Sequence, residues 1–565
     1  MTWAKRRAIV IGVLIIFLIL FVWAAWKPQR LAQNSVLVID AEGDIEEQRP
    51  ANFLGNLTGN PTPALHDYLD AIDSAGTDSR ISGIVVRVAP LDTGWAKLEE
   101  IRAHLLAFRA SHKPSICYLG YDGIGNPEYY LATACQQIWL VPSNPVNIRG
   151  MMAEALFFRG TLDKLKIIPQ FYHIAEFKTA YNMFTEKKFT PPHREEVEGV
   201  LRSIYGQYVD DSAMARGMNR AKFQALVNSG PLLSSDAVQD GIADRLAYWD
   251  QVQDYFKSRY HGWRPVPLVR YLGYLRDDGL GGGQKIAIVH ATGLIVSGES
   301  ETTPGGGFVM GGDSVASDLR DARTDSSIKA IVLRIDSGGG SVVGSEVIRR
   351  EVELTHGWKP IVVSMSDVAA SGGYWIATPA DRIVANPDTI TGSIGVLTGK
   401  LNLSGLYNLL GMSTDYVATS DNATLFSDQQ NFTPAQEAYI KKSLDDTYME
   451  FKEGVAKGRG MSVEAVDKIA KGREWSGAQA KELGLVDELG GIDRAIEVAK
   501  SLAHIPASQS VRLVRYPQEK SVLQQLFERE RDQLTQSRSL ETALRRVLGV
   551  MGPVQARIPY ELRIR

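Results

Sequence analysis

Three loops of small residues in the second half of the chain could support chemistry on a carbonyl or a phosphate. The first contains Gly338, Gly339 and Gly340, the second contains Ser371 (SDVAASGGYW), and the third contains Ser393. Glycine loops that lead into helices offer backbone N–H donors and the positive end of a helix dipole, which stabilise a phosphate or an acyl-transfer oxyanion. The phosphate interpretation is disfavoured, because the chain has no GxxxxGK[ST] sequence and no GxGxxG after the strand.

Ser371 is interpreted as a nucleophile whose following N–H groups, from Gly372 and Gly373, face the reacting carbonyl. Ser-Gly-Gly is also ordinary turn composition, so a second residue must activate the serine. A histidine is the usual base, but of the nine histidines only His504 follows Ser371, and none lies in a recognisable motif. The absence of GxSxG also argues against an α/β-hydrolase elbow.

An internal duplication organises the chain. The segment VLVIDAEGDI from Val36 parallels IAIVHATGLI from Ile286, EYYLAT parallels GYWIAT, and further on Asp244 matches Asp487. Collinear similarity of this kind indicates two repeats, joined at the glycine-rich LGGGQK stretch.

Both repeats alternate short β-branched runs with helical stretches. The order is GIVVRV, LEEIRAHLLAF and SICYLG in the first repeat, and AIVLRI, SEVIRREVEL and IVVSM in the second. This order predicts βαβ units and a mostly parallel sheet, with sites at the carboxyl ends of the strands. We therefore predict two tandem α/β domains, at 35–260 and 285–505. Helical spacing of apolar residues predicts a helical tail over 506–565.

Residues 1–27 are predicted to form a cytoplasmic stub and one transmembrane helix. Lys5, Arg6 and Arg7 precede an apolar run from Ala8 to Trp26. That run matches the roughly 20 residues that cross a bilayer, and the basic cluster stays in the cytoplasm. A cleaved signal peptide is the alternative, but its apolar region is usually only about 7 to 15 residues long.

Composition excludes one class of partner. The net charge of −3 and the lack of a basic tract argue against nucleic acid. Cys117 and Cys135 each lie in an apolar stretch, so buried thiols are favoured over a disulfide, and we assign them no function.

The glycine loop, AASGGYW and TGSIG, in that order, resemble signal peptide peptidase A (protease IV) of the long, duplicated type. The resemblance implies a ClpP/crotonase-like fold, Ser371 as nucleophile, and a base in a GKYKSA-like segment. Here that segment is AEFKTA, which identifies Lys178. It further implies that Ser393 orients the lysine amine. The N–H groups of Gly372, Gly339 and Gly340 would hold the oxyanion, and no metal or organic cofactor is needed.

Comparison of the repeats places Asn126 opposite Ser371 and Asp421 opposite Lys178. Each repeat thus keeps one member of the dyad, which predicts a site built between the two. A lysine is a base only when neutral, so its pKa must fall from ~10.4 to about 7 to 8 by burial. Phe171, Tyr172 and Phe177 are expected to supply an apolar wall.

One segment departs from the family pattern. Where the family usually has Asn-Ser-Pro-Gly-Gly, this chain has Asp336-Ser337-Gly338-Gly339-Gly340. A negative charge pointing inward would oppose an oxyanion. We therefore expect Asp336 to point away and to accept hydrogen bonds from local N–H groups.

The resemblance implies a membrane-anchored serine endopeptidase that degrades remnant signal peptides after their release from exported proteins. It implies a homotetramer in the bacterial inner membrane, with a single-pass anchor, a cytoplasmic N-terminus and a periplasmic catalytic part. Two alternatives stay open. One is a crotonase-like acyl-CoA enzyme, and the other is a catalytically inactive membrane scaffold.

Overall fold

Strands and helices alternate along both repeats of the computed structural model, which describes residues 31–49, 62–260, 262–277, 283–302, 308–517 and 552–557. The strands of the first repeat are β1 Ser35–Gly43, β2 Ile81–Leu91, β3 Ser115–Leu119, β4 Gln137–Leu140, β5 Ile168–His173, β6 Arg245–Leu246 and β7 Pro265–Pro267. Its helices are α1 Leu65–Thr77, α2 Trp95–Phe108, α3 Asn126–Ala132, α4 Arg159–Lys164, α5 Asn182–Thr185, α6 Pro191–Ala215, α7 Arg220–Ser229, α8 Ser234–Gln239, α9 Trp249–Arg259 and α10 Leu268–Asp277.

The second repeat continues the same alternation. Its strands are β8 Gln284–Thr292, β9 Leu294–Val296, β10 Glu301–Thr302, β11 Phe308–Gly311, β12 Ile328–Ser337, β13 Gly339–Ser341, β14 Ile361–Ala370, β15 Arg382–Ala385, β16 Ile390–Gly392, β17 Leu397–Asn402, β18 Glu474–Ser476, β19 Glu488–Leu489, β20 Val511–Tyr516 and β21 Gly552–Arg557. Its helices are α11 Gly312–Thr324, α12 Val342–Thr355, α13 Gly372–Ala377, α14 Ser404–Leu409, α15 Pro434–Arg459, α16 Val463–Ile469, α17 Gly477–Glu482 and α18 Ile492–Leu502.

Each repeat is built on its own largely parallel sheet. The first has the order β6-β4-β3-β2-β1-β7, and all of these neighbours run parallel. The second has the order β18-β16-β14-β12-β8-β20, with β16 and β18 antiparallel and the other neighbours parallel. Two tandem α/β domains are therefore confirmed. Their central strands β2 and β12 are near-continuous apolar runs because helices cover both faces of a parallel sheet.

The duplication is also visible in the two longest helices. Both α6 and α15 begin with proline after a threonine, and Thr190 and Thr433 accept hydrogen bonds from the N–H groups of His193 and Gln436. A threonine N-cap satisfies an otherwise unpaired N–H, and proline at the first helical position already has the right φ. The same local signal therefore starts the same helix in each repeat.

A third sheet joins the repeats. Its order is β10-β11-β9-β13-β21-β17-β5, so a strand of the first repeat, β5, ends a sheet made otherwise by the second repeat and the tail. β5 and β17 are antiparallel, with His173 opposite Leu397 and Ile168 opposite Asn402. This pairing carries the residues that follow β5 into the second repeat.

The expectation of two free buried thiols was wrong. Cys117 lies in β3 and Cys135 follows α3, and their Cα atoms are 5.6 Å apart, joined by a disulfide. Both residues are buried. The chain after α3 lies beside β3, so the two cysteines are close in space. The sequence shows only two separate apolar stretches and does not reveal this proximity.

The expected helical tail was also wrong for the tail residues that the structure describes from 511 to 516 and from 552 to 557. These form β20 and β21. The segment VRLVRY contains valine and tyrosine, which favour strands, and it completes the free edge beside β8. The helical patterns QQLFERERDQL and ETALRRVLGVM lie outside the described residues, as does the apolar run from 8 to 26. Within the described part of the chain, no helix has the length and apolarity needed to cross a membrane.

Candidate active site

Ser371 stands at the junction between β14 and α13. It is the N-cap of α13, with φ 56° and ψ −115°, and its side chain is fully buried. A non-glycine residue at such a φ is strained and is held there by its surroundings, here by the N–H of Ser371 donating to the Gly392 carbonyl at 2.9 Å. The sharp strand-to-helix turn presents the hydroxyl to one point in space.

Lys178 reaches that point from the first repeat. Its Nζ lies 2.8 Å from Ser371 Oγ, 3.0 Å from Ser393 Oγ and 2.9 Å from the Ser393 carbonyl oxygen. A neutral amine has two hydrogens and one lone pair. If both hydrogens go to the two oxygens of Ser393, the lone pair faces Ser371 Oγ, which is the arrangement that a general base requires. Both members of the pair belong to one chain.

Ser393 is itself held in a fixed orientation. Its hydroxyl donates to the Gly472 carbonyl at 3.2 Å, and its N–H donates to the Arg473 carbonyl at 2.7 Å. With its hydrogen engaged, Ser393 Oγ has a lone pair available for Lys178. The structure therefore places Ser393 where it can orient the amine.

Two backbone contacts position Lys178 after β5. The N–H of Phe177 donates to the Lys471 carbonyl at 3.0 Å, so the segment before the lysine is fastened to the second repeat. Gly472, at φ +77°, packs so closely that a Cβ there would lie 2.5 Å from Lys178 N, and one at Gly395 would lie 3.2 Å from Lys178 Cδ. Glycines, rather than large side chains, make room for the lysine stem.

The rings expected to wall the lysine have other contacts. Phe171 stacks on Phe184 with ring centroids 5.6 Å apart, and Tyr172 packs on Phe432 at 5.7 Å. The ring of Phe177 lies under the Arg473 guanidinium at 4.7 Å. These contacts place the rings in the packing around the site, and a wall against the lysine itself stays a prediction.

The equivalent positions of the other repeat do not form a second site of this kind. Asn126 is the buried first residue of α3 and accepts a hydrogen bond from the Arg149 N–H at 3.1 Å. Asp421 lies in an exposed 3-10 turn, Asp421–Thr424. Neither residue has the partner that its counterpart has.

The glycines predicted to hold an oxyanion line the same region. Gly372 is the first residue of α13, and a Cβ on Gly373 would lie 2.4 Å from the Ser337 carbonyl oxygen, so the helix start packs against the end of β12. Gly339 and Gly340 have φ values of 92° and 153°. The Gly339 N–H already donates to Ser337 Oγ at 3.1 Å, and Gly340 is paired in the sheet with Ile295 and Ala556. Gly372, at the first position of α13, has an N–H with no acceptor inside its helix and is the best placed donor.

Asp336 behaves in part as expected. Its Oδ1 accepts a hydrogen bond from the local N–H of Val368 at 3.2 Å. Its Oδ2 forms an ion pair at 3.0 Å with Lys97 of the first repeat, which also pairs with Asp367 at 3.2 Å. Lys97 is buried and was missed in the sequence, because nothing in its own helix indicates two aspartates from the other repeat. It neutralises the charge that this loop carries in place of asparagine.

Burial lowers the pKa of Lys178 to about 7, against the opposing charges of Glu474 and Glu196. We predict that kcat/KM for a peptide ester falls about tenfold per pH unit below pH ~7, because protonated lysine has no lone pair. Above that pH the profile should be flat until another group titrates. A rate profile across pH 5 to 9, corrected for unfolding by parallel melting curves, tests this. An activity that stays constant from pH 5 to 7 would rule out Lys178 as the base.

Among the described residues, one cluster has metal-ligand types within reach of one another: Asp73, His104 and Asp493. His104 Nδ1 lies 2.7 Å from Asp73 and Nε2 lies 3.0 Å from Asp493. Burial opposes the charge, but these two carboxylates raise the pKa of His104 to about 10. An imidazolium that donates on both sides has no lone pair for a metal, so this cluster is an ion-paired contact between the repeats.

Comparison with known proteins is consistent with this geometry. The model of "Peptidase family S49" matches twice, at residues 107–260 and 353–506. A chloroplastic serine protease SPPA from Arabidopsis thaliana is 33% identical over 87% of this chain and 72% of the relative. Protease 4 is 32% identical in Salmonella typhi (88% of this chain, 84% of the relative) and 30% in Haemophilus influenzae (87% and 83%).

A solved structure, a point mutant of ClpP1 from Listeria monocytogenes, superposes with a TM-score of 0.25 and 16% identity. It covers 36% of this chain and 91% of that chain. A TM-score of this size is too low to test the expected ClpP or crotonase type of fold.

Proposed function

This chain belongs to peptidase family S49 and is a serine peptidase, and from that premise we propose that it uses a Ser371–Lys178 dyad to degrade remnant signal peptides in a membrane. The observation that carries the dyad is the 2.8 Å separation of Lys178 Nζ and Ser371 Oγ in a buried site. Signal peptides as the substrate class are supported by the likeness to signal peptide peptidase A.

The proposed reaction follows from the geometry. Neutral Lys178 takes the proton of Ser371 as Oγ attacks a peptide carbonyl, and the N–H of Gly372, beside the Gly339–Gly340 loop, holds the oxyanion. The lysine then protonates the leaving amine. It next takes a proton from water, which attacks the acyl-enzyme, and Ser371 recovers its proton as the acid product leaves.

An extended peptide is a fitting occupant for this site. The short strand β13, which contains Gly339 and Gly340, pairs antiparallel with β21, so Gly340 lies opposite Ala556. β13 lies between β9 and β21, and the side that β21 occupies shows that this strand pairs with an extended backbone, which is a common mode of peptide recognition. This favours a peptide over an acyl-CoA thioester as the substrate.

The location and assembly are proposed together. The apolar run from 8 to 26 would anchor the chain in the bacterial inner membrane, with a cytoplasmic N-terminus and a periplasmic catalytic part. The Cys117–Cys135 disulfide supports an oxidising compartment such as the periplasm. Domains at 35–260 and 285–505, a ClpP/crotonase-like fold and a homotetramer complete the proposal.

We predict that the full-length protein, reconstituted in vesicles, cleaves a synthetic membrane-embedded signal peptide and is labelled at Ser371 by a fluorophosphonate. Mass spectrometry of the labelled peptide and of the products measures both. An excess of signal peptide should slow labelling, because the two compete for one nucleophile. Hydrolysis of an acyl-CoA without peptide cleavage would support the acyl-CoA alternative. A folded protein that neither cleaves nor labels would support the inactive scaffold.

A further inference from the structure

Two buried carboxylates adjoin the dyad and have no part in the reaction as described so far. Glu196 lies on α6 of the first repeat and Glu474 begins β18 of the second, and they are 1% and 5% exposed. Glu196 Oε1 accepts the N–H of Glu474 at 2.7 Å, and its Oε2 accepts the hydroxyl of Thr179 at 3.2 Å. Thr179 directly follows Lys178, so Glu196 ties the base to the strand that carries Glu474.

Glu474 belongs to the segment that holds the rest of the site. In the sheet it lies opposite Gly392, whose carbonyl accepts the N–H of Ser371. Its neighbours in the chain, Arg473 and Gly472, hold the N–H and hydroxyl of Ser393. A change in the position or charge of Glu474 therefore acts on the lysine and on both serines.

The other charged groups around this segment are largely paired with one another. Arg473 pairs with Glu195 at 2.8 Å, and Lys471 pairs with Glu176 at 3.2 Å, each through partners that are partly exposed. His193, on the same helix as Glu196, is buried, and burial lowers its pKa to about 4, so it is neutral near pH 7. Glu474 and Glu196 are thus the charges that bear on Lys178 from inside the protein.

Comparison of the repeats shows that these glutamates are specific to this site. With Asp244 aligned on Asp487, Glu474 falls opposite Pro231, and Glu196 falls opposite Tyr439, which is exposed. Each carboxylate therefore occurs in one repeat only, Glu196 with Lys178 and Glu474 with Ser371. Burying a carboxylate costs free energy, and at these two equivalent positions the other repeat has no carboxylate to bury.

We propose that Glu474 and Glu196 form an acid pair that positions Lys178 and sets the pH range in which it is a neutral base. The inference rests on the Ser371–Lys178 dyad proposed above. Neither glutamate touches the reacting atoms, so both are positioning residues. Their negative charge stabilises the ammonium that forms when Lys178 takes the proton of Ser371, and for the same reason keeps the resting lysine protonated to a higher pH.

The titration of the pair agrees with this role. Burial raises the pKa of Glu474 to about 7, although Lys178 opposes that shift. Burial and the charge of Glu474 raise the pKa of Glu196 well above its usual value. Above pH 7 the pair therefore carries its charge mainly on Glu474, and Glu196 serves mainly to hold Glu474 and Thr179.

The test is the pH profile of a Glu474→Gln variant of the full chain, with a short peptide ester as substrate. Loss of the charge should move the acidic limb of kcat/KM to lower pH by about 0.5 to 1 unit. It should lower the plateau kcat about tenfold with little change in KM, because the ammonium formed in the transition state loses its counter-charge. Glu474→Asp, which keeps the charge, should restore the limb towards the wild-type position.

Glu198→Gln is the matched control, since Glu198 lies on the same helix as Glu196 but its side chain is 45% exposed and pairs with Arg202 at 2.7 Å. The proposal would be overturned if the acidic limb of kcat/KM did not move in a folded Glu474→Gln variant. An equal shift of that limb in Glu198→Gln would also overturn it. If Glu474→Gln does not fold, Glu196→Ala tests the positioning role, because Glu474 and Thr179 then lose their shared acceptor. The plateau kcat should fall with little change in KM, and an unchanged kcat would overturn the proposal. Failure of the dyad itself is distinguishable, because Ser371→Ala would then remain active.

Discussion

Replacing Lys178 with methionine is expected to lower kcat/KM for a peptide substrate by about 10⁴-fold or more, the size of effect seen when one member of a catalytic pair is removed. Methionine has a similar length and fills the same space between Gly395 and Gly472 but has no amine. The hydroxyl of Ser371 then loses the amine that lies 2.8 Å away and that we propose as its base. Steady-state kinetics with a peptide ester measure the loss.

The same variant should be at least as stable as the wild type. Burial lowers the pKa of Lys178 to about 7, so at pH 8 folding removes a proton from an amine that the unfolded chain would keep. That cost is absent in methionine. Between pH 7 and the usual lysine pKa, the unfolded state binds more protons, so the contribution of Lys178 to stability becomes more favourable as pH rises. A variant that is inactive yet melts no lower than the wild type separates catalysis from folding.

Ser371→Ala provides the companion experiment. If the two residues act as one unit, Lys178→Met, Ser371→Ala and the double variant should all lose about the same activity. Additive losses in the double variant would show that the residues act independently. Substantial turnover by Lys178→Met would require a different base.

Replacing Arg334 with methionine is expected to destabilise the protein by about 3 to 5 kcal/mol, as removal of one partner of a buried ion pair does. Arg334 is fully buried between the repeats. It donates to both oxygens of Glu47, at 2.7 and 3.0 Å, and to Glu100 at 2.8 Å, both from the first repeat. Ser364 and Ser366 accept its remaining hydrogens at 2.9 and 3.1 Å. Without the guanidinium, two carboxylates stay buried with no cation between them.

The pKa values of Glu47 and Glu100 shift in opposite directions, and their contacts with Arg334 explain the difference. Burial alone would raise the pKa of Glu47, but Arg334 lowers it to about 2. Burial raises the pKa of Glu100, which receives one guanidinium nitrogen and has an Oε2 without a partner. Because the pKa of Glu47 is depressed in the fold, its stabilising contribution is present above the unfolded pKa and is lost as pH falls towards 2. Arg334→Met should remove that contribution.

Urea unfolding of Arg334→Met at pH 7 measures the change. Arg494→Met is the control, since Arg494 pairs with Glu488 and Glu497 at an exposed position, where ion pairs contribute little. We expect the control to change stability by no more than ~0.5 kcal/mol. If both variants lose the same small amount, the buried network does not hold the repeats together.

Local patterns in the sequence were enough to predict the α/β architecture and the Ser371 half of the candidate site. Alternating β-branched and helical runs predicted the two parallel sheets, since strands that are buried on both faces have near-continuous apolar sequences. Internal comparison identified the duplication, which the paired threonine-capped helices repeat. The glycines around Ser371 indicated a strand-to-helix turn, because few other residues allow backbone groups to approach so closely.

The tertiary structure decided what depends on contacts between distant parts of the chain. The pairing of β5 with β17 brings Lys178 to Ser371, whereas in the sequence the lysine was identified through a family resemblance. The Cys117–Cys135 disulfide and the strand β20 overturned expectations drawn from local composition.

The charges between the repeats show the same division. Lys97 meets Asp336, and Glu196 meets the backbone of Glu474, across separations of more than two hundred residues. By itself, the sequence determined the two α/β repeats and the turn that presents Ser371. Hydrophobic periodicity and the requirement for glycine at a tight turn both depend on residues that are neighbours in the chain. Only the fold decided which buried charges meet around that serine, because a contact between residues far apart in the chain produces no local sequence pattern.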